Sequence, residues 1–334
     1  MHFPYPILVA DVGGTNIRLG KVDTPESNLI HLPPQLTAAH PGLESAIRAA
    51  TGPASTFGSI LACAAGPVVG RNVKLTNAGW TIDGPDVARA LGVKQGLLFN
   101  DFEAQALSIP RLTKDWLRPI GAPRAGGPGP RLIHGPGTGL GTAALVDVGG
   151  RWLSVASEAS HSDFAPVTAD ERTFWPFVEP VHGRITPEAL ISGPGLRRLH
   201  RARLASGGLP LGELDTAEII ARARADQTSE EADTVRAFWR LAARFAGDMA
   251  LAFVATGGVI LAGGMLPRLV DLLDPEAFRA CFENKAPYAE WARRIPVWLL
   301  MESDTVLAGL AAIAAAPDRY VIDYSNRAWL APAG

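Results

Sequence analysis

Two glycine loops and a handful of carboxylates carry the chemistry legible in this chain. Asp11-Val12-Gly13-Gly14-Thr15-Asn16 puts a carboxylate at the end of the apolar run 7–10 and follows it with two glycines. Glycines let backbone N–H groups approach an anion with no Cβ in the way, and Thr15 and Asn16 add side-chain donors. Asp11 repels a phosphate directly but can hold a hydrated Mg2+ against one. The plain alternative is an ordinary hairpin turn. Gly135-Pro136-Gly137-Thr138-Gly139-Leu140-Gly141 is a second donor-rich loop. It lacks the Gly-Lys-Ser/Thr of a Walker A loop and the spacing of G-x-G-x-x-G. Paired with the Asp11 loop, each at the head of its own half, it points to a phosphate clamp.

Asn100-Asp101 closes the short apolar run 96–99. A carboxylate at the C-terminal end of a buried strand sits where α/β folds place ligands. Asp101 there either accepts a proton from a substrate hydroxyl or caps the next helix, and the local sequence leans to the cap. Glu158, His161 and Glu188 offer the mixture of acceptors and donors that a polyol requires, although each alone reads as a surface residue. None has the spacing of an H-E-x-x-H metal helix. No Ser-x-x-Lys or Gly-x-Ser-x-Gly occurs, so nucleophilic acyl transfer has no support. The other histidines, among them His134 and His200, fall in no motif and read as structural or solvated.

The elements that must position these residues follow from hydrophobic patterning. Runs 7–10 and 17–22 read as two strands around the first glycine turn, and 132–134 and 142–148 as two around the second, with Gly149-Gly150 turning into a further strand at 151–155. Two such units, each opening its own half, suggest a duplicated architecture. The Gly- and Pro-rich segment 121–130 reads as a loop or linker. Phe238, Leu241, Phe245, Met249 and Ala252 recur at helical spacing, with Gly257-Gly258 as the expected stop. A buried strand is expected over 259–262, and Leu266, Leu269, Leu272 and Leu273 suggest another helix. Strands alternating with helices point to the α/β class.

Composition narrows the function. A chain of 334 residues is one large domain or two ordinary ones, and 47% hydrophobic with 19% charged residues excludes a disordered protein. Lys and Arg number 31 against 33 Asp and Glu, with no basic stripe, so a small molecule is the expected partner and nucleic acid is not. Cys63 and Cys281 make neither a disulfide framework nor a four-ligand zinc site, which suggests a reducing, cytoplasmic setting. The first residues have no cationic region before an apolar stretch, and no apolar tract is long enough to span a bilayer, so neither a signal peptide nor a membrane partner is expected.

Taken in order, these segments resemble the bacterial ATP-dependent glucokinases of the hexokinase/actin-like superfamily, the group that lacks a structural zinc. The matching stretches are Asp11 to Asn16, Leu75-Thr76-Asn77 with Trp80, Asn100-Asp101-Phe102, Gly137 to Gly141, and Glu158 to His161 with Asp163-Phe164-Ala165-Pro166. Ile191-Ser192-Gly193-Pro194-Gly195-Leu196 and Leu261-Ala262-Gly263-Gly264 with Pro267-Arg268 complete the set. The resemblance runs from about residue 6 to about 313.

That resemblance implies a two-lobed actin-like ATPase fold, ribonuclease H-like and duplicated, with an interlobe cleft that closes over glucose. The small lobe would comprise 1–111 with 302–334, and the large lobe 112–301. It implies phosphorylation of D-glucose to glucose 6-phosphate by Mg-ATP, with Asp101 as general base on the sugar 6-hydroxyl. Asn100, Glu158, His161 and Glu188 would hydrogen-bond the other hydroxyls, with Thr76 and Asn77 on the pocket wall. Gly13, Gly14, Thr15 and Asn16 together with Gly137, Thr138 and Gly139 would line the phosphates. Gly263 and Gly264 would lie against the adenosine, and Asp11 would orient Mg2+ through water. Phosphoryl transfer asks a protein mainly to position groups and stabilise charge, so no lysine-bearing loop is required. Relatives of this kind are often homodimers, although no segment here marks an interface.

Three departures bear on specificity. Ala159-Ser160 stands where the family usually has Gly-Gly, Pro136 removes a backbone donor beside the second loop, and Ser303-Asp304-Thr305-Val306-Leu307-Ala308-Gly309 differs from the usual Asn-Pro-Gly-Leu-Leu-Gly pattern. They keep open a kinase for another hexose, such as mannose, fructose or an amino sugar. A non-catalytic sugar sensor and an actin-like filament protein are rivals that the intact Asn100-Asp101 and the sugar-pocket residues argue against.

Overall fold

In the computed structural model, which describes residues 1–75, 78–302 and 304–330, the chain divides into two compact units. Thr76, Asn77 and Ser303 lie outside the described residues. The first unit is Met1–Thr113 with Leu145–Val155 and Asp304–Gly334, and the second is Lys114–Ala144 with Ala156–Ser303.

The first unit is built on strands whose sequences are almost continuously apolar, as strands covered on both faces must be. Ile7–Val12 and Ser59–Ala64 are buried nearly throughout and run parallel to each other, and Gln95–Asn100 runs parallel to Ser59–Ala64 on its other side. Asn16–Val22 pairs antiparallel with Ile7–Val12 across the first glycine turn, as its patterning predicts. The short strands Ile30–His31 and Gln35–Leu36 extend this side, and Trp329–Leu330 adds antiparallel to Gln95–Asn100 at the opposite edge. Register places Asp11, Cys63 and Phe99 side by side and then Val12, Ala64 and Asn100. Asp11 and Asp101 therefore emerge at the same, C-terminal, end of the parallel strands. Helix Asp101–Ser108 packs on helix Thr305–Ala315, and a Cβ at Gly309 would lie 2.4 Å from that of Ser108. Trp329 is held between Gly84 and Gly96, where added Cβ atoms would fall 2.4 and 2.1 Å from its ring.

The second unit repeats the theme. Arg131–Pro136 runs parallel to Gly258–Leu261, which runs parallel to Val297–Leu300, and Leu140–Val148 follows Arg131–Pro136 in the sheet across the second glycine loop. The expected return at Gly149-Gly150 into Arg151–Ser157 is present, with φ of 61° and 83° at the two glycines. Two successive positive φ values suit the twist of a hairpin and favour glycine. The outer part of this hairpin, Leu145–Val155, belongs to the first unit, where Arg151 donates to the carbonyls of Asp318 and Tyr320. Each unit thus carries a strand–turn–strand motif beside two parallel strands, which bears out the α/β class and the duplication.

Helix Glu230–Ala252 buries the predicted Phe238, Leu241 and Phe245 in the second unit's core and is capped by the Ser229 side chain. It ends before the predicted Gly257-Gly258, and Val254 takes the left-handed φ of 50° instead of a glycine. The helix expected from Leu266 onward is a 3-10 helix, Leu266–Leu272. The physical reason is the pattern itself: Leu266, Leu269 and Leu272 are buried at steps of three, the repeat of a 3-10 helix, and Pro267 stands in its first turn. Among the described residues, no helix is long and apolar enough to cross a membrane.

Candidate active site

In the first unit, hairpin register sets Arg18 opposite Asp11, and Arg18 Nε lies 3.5 Å from Asp11 Oδ2. The Cys63 thiol donates to Asp11 Oδ1 at 3.4 Å. Burial raises the Asp11 pKa against the opposing pull of Arg18 and the Cys63 hydrogen bond. Burial, followed by the charges of Asp11 and Asp101, pushes the Cys63 thiol well up, so it stays protonated and serves as a donor. Gly13 N–H donates to Asn16 C=O at 2.9 Å, and Thr37 Oγ1 donates to Gly13 C=O at 2.8 Å. The turn is thereby fixed while Thr15 and Asn16 stay exposed.

Asp101 opens helix Asp101–Ser108, but it is not the cap that local sequence favoured. That role falls to Asn100, whose Oδ1 accepts from Phe102 N–H at 3.0 Å and Glu103 N–H at 3.2 Å, while Glu103 Oε2 accepts from Asn100 N–H at 3.3 Å. The reason is conformational: Asn100 still has extended backbone, as a cap requires, whereas Asp101 is already helical. Asn100 Nδ2 donates to Gly66 C=O at 3.0 Å, so this side chain is committed to the scaffold. Asp101 Oδ1 accepts from Phe102 N–H at 3.0 Å, and its carboxylate stands at the helix end that favours negative charge.

In the second unit, Glu158, His161 and Glu188 come together, although sequence gave no spacing that joins them. His161 Nε2 is 3.8 Å from Glu158 Oε2, and its Nδ1 is 4.0 Å from Glu188 Oε1. Glu188 rides on the short helix Pro187–Leu190, capped by Thr186. Its other oxygen, Oε2, accepts from Leu140 N–H at 2.8 Å, which ties this cluster to the glycine loop. A Cβ at Gly139 would sit 2.6 Å from that same oxygen. Gly193 N–H donates to Gly137 C=O at 2.9 Å, while Thr138 is exposed.

The segment carrying Gly263 and Gly264 lies beside this loop. Ala262 N–H donates to His134 C=O at 2.9 Å, and Cβ atoms at Gly135 and Gly263 would meet the Ala262 and Pro136 carbonyls at 1.9 and 2.5 Å. Two backbones this close tolerate only glycine. His134 itself is buried, as a structural histidine, with its ring edge-on to Phe245 at 5.6 Å. Burial lowers its pKa to about 3.

Sequence reasoning missed Arg18, Cys63 and Glu103. Arg18 was within reach through the hairpin register, and Glu103 through the Asn-x-x-Glu pattern of a capping box.

Comparison with known proteins gives the family of the chain. Residues 8–317 match the family model described as Glucokinase. The chain is 36% identical to a glucokinase of Agrobacterium fabrum over 99% of its own length and 98% of the relative's. Among solved structures, a glucokinase from an Antarctic psychrotroph superposes with a TM-score of 0.79 at 30% identity, covering 92% of this chain and 98% of that one. A ROK family glucokinase from Streptomyces griseus, in complex with glucose and AMPPNP, shares the fold with a TM-score of 0.64 at 22% identity over 93% and 99% of the two chains. Sequence similarity across nearly the whole chain, carried on the same α/β fold, places this chain in the glucokinase family of sugar kinases.

Proposed function

We propose that this kinase transfers the γ-phosphoryl group of Mg-ATP to the 6-hydroxyl of D-glucose, giving glucose 6-phosphate and ADP. The observation that carries the reading is Asp101, a carboxylate fixed at the head of its helix and at the ligand-binding end of a parallel sheet, in a chain of this family. Asp101 takes the hydroxyl proton as the sugar oxygen attacks phosphorus, and the bond to the ADP oxygen breaks. General-base assistance of this kind contributes about 10²- to 10⁴-fold.

Glu158, His161 and Glu188 orient the remaining hydroxyls, and Asn100 contributes mainly by fixing the turn that carries Asp101. Thr76 and Asn77 complete the sugar set in this proposal. In the turn of Gly13, Gly14, Thr15 and Asn16 and the loop of Gly137, Thr138 and Gly139, the glycines keep the approach of the phosphates clear of Cβ atoms. Thr15, Asn16 and Thr138 supply side-chain donors, since Gly13 and Gly137 N–H are taken up by the carbonyls of Asn16 and Gly139. Gly263 and Gly264 lie beside the adenosine in this proposal. The relative that binds glucose and AMPPNP on the same fold supports both substrates.

Asp11 would hold Mg2+ through water: it is an oxygen donor at the end of its strand, and the ion would add to the charge relief that Arg18 already gives at 3.5 Å. Bound there, Mg2+ would neutralise charge developing on the phosphate oxygens. Two free cysteines support a cytoplasmic setting. A homodimer is the assembly to test, by sedimentation.

Departure at Ala159-Ser160 bears on sugar range. Ser160 is turned inside the unit, 1% exposed, which leaves Ala159 as the one added Cβ near the surface. A hexose panel with Mg-ATP tests the reading: sugar phosphate should form fastest from glucose. Equal or faster product from mannose, fructose or glucosamine would reassign the substrate, and no product from any sugar would overturn the kinase reading.

A further inference from the structure

The C-terminal segment holds the turn that carries Asp101. Arg327 forms a two-pronged ion pair with Glu103, Nη1 to Oε1 at 2.6 Å and Nη2 to Oε2 at 2.7 Å, and Nη2 also donates to Leu98 C=O at 3.0 Å. Its guanidinium lies 5.1 Å from the centre of the Phe99 ring. Both partners are largely covered, with side-chain exposures of 20% and 16%. Glu103 Oε2 is also the atom that accepts Asn100 N–H, so a single carboxylate joins Arg327 to the residue preceding Asp101. One residue beyond Asp101, Phe102 N–H is held by Asn100 Oδ1 and by Asp101 Oδ1 itself. Arg327 is in turn fixed by the short helix Tyr324–Arg327 before it and by buried Trp329 after it.

From this geometry we propose that Arg327 is a positioning residue for the phosphoryl-transfer reaction, acting on Asp101 through Glu103 and the Asn100 cap; the inference rests on the reading of Asp101 as the general base. An ordinary capping box leaves its glutamate free to swing between rotamers, with one backbone hydrogen bond to hold it. A bidentate guanidinium removes that freedom, because the planar fork matches the carboxylate at both oxygens. Without it the Glu103 carboxylate, largely removed from water, turns outward for hydration and releases Asn100 N–H. The helix start then loosens around Asp101 while its other anchors keep the fold. Displacement of a reacting group by about 1 Å costs on the order of 100-fold in rate.

Five full-length proteins test this: wild type, Arg327→Met, Asp101→Asn, the double variant, and Arg327→Lys as a conservative partner. Glucose 6-phosphate formation gives kcat and both KM values, and circular dichroism checks folding. Arg327→Met should lower kcat about 10- to 100-fold, with KM for Mg-ATP changed less than about threefold. Arg327→Lys, which keeps the charge but loses the fork, should recover part of the rate and serves alone if the methionine variant fails to fold. In the Asp101→Asn background the Arg327→Met change should have little further effect, since the group it positions is gone. Unchanged kcat in both folded Arg327 variants, beside an inactive Asp101→Asn protein, would overturn the inference alone. Equal losses from Arg327→Met with and without Asp101 would also overturn it, as would losses confined to KM. Full activity in Asp101→Asn would overturn the base assignment and this inference with it.

Discussion

His134 offers a quantitative test of how burial in the second unit's central strand governs acid stability. The imidazole is 2% exposed and neither ring nitrogen has a hydrogen-bond partner among the described residues. Burial lowers its pKa from 6.5 to about 3. The unfolded chain therefore takes up a proton near pH 6.5, while the folded chain resists until about pH 3. Stability is fully present above pH 6.5 and declines as pH falls, because the unfolded state binds more protons throughout that window. Each pH unit below the unfolded pKa contributes about 1.4 kcal/mol, so acidification to pH 5 costs about 2 kcal/mol through this residue. His134→Leu removes the titration and two unpaired polar atoms while preserving apolar volume. Urea unfolding of both proteins at pH 7.5 and pH 5 is the assay. The wild type should lose about 2 kcal/mol more than the variant between those pH values, since other titrating groups are common to both. Equal losses would refute the reasoning and mean that the ring is protonated, or hydrated, in the folded chain.

Other expectations rest on single contacts. Trp329→Ala empties the pocket between Gly84 and Gly96 and should destabilise the chain by about 3–5 kcal/mol in urea unfolding. Gly139→Ala places a methyl group against Glu188 Oε2, a side-chain end that can move aside. It should alter unfolding stability by less than about 1 kcal/mol while raising KM for glucose severalfold in steady-state assays, because Glu188 leaves its place beside His161 and Leu140 N–H.

Much of this scaffold is legible in sequence because glycine and apolar runs act locally. The Asp11–Asn16 turn, the Gly149-Gly150 hairpin and the buried strand over Gly258–Leu261 follow from residues adjacent to one another. Leu266, Leu269 and Leu272 marked a helix in the sequence, but its 3-10 form, with Pro267 in the first turn, is a finding of the structure. What separates Asn100 from Asp101 is backbone conformation: both types cap helices, and only φ and ψ decide which one does. The union of Glu158 and His161 with Glu188 depends on the packing of helix Pro187–Leu190, which spacing does not reveal. Arg327 and Glu103 are the extreme case, joined across most of the chain by strand Trp329–Leu330 adding to the sheet edge.

The most direct test of the central claim compares wild type with Asp101→Asn for Mg-ATP-dependent formation of glucose 6-phosphate, alongside glucose binding by calorimetry. The expected result is a fall in kcat of about 10²- to 10⁴-fold, with glucose affinity within a fewfold of wild type. Turnover by Asp101→Asn at near the wild-type rate would contradict it, and the proton would then have to leave the sugar by another route.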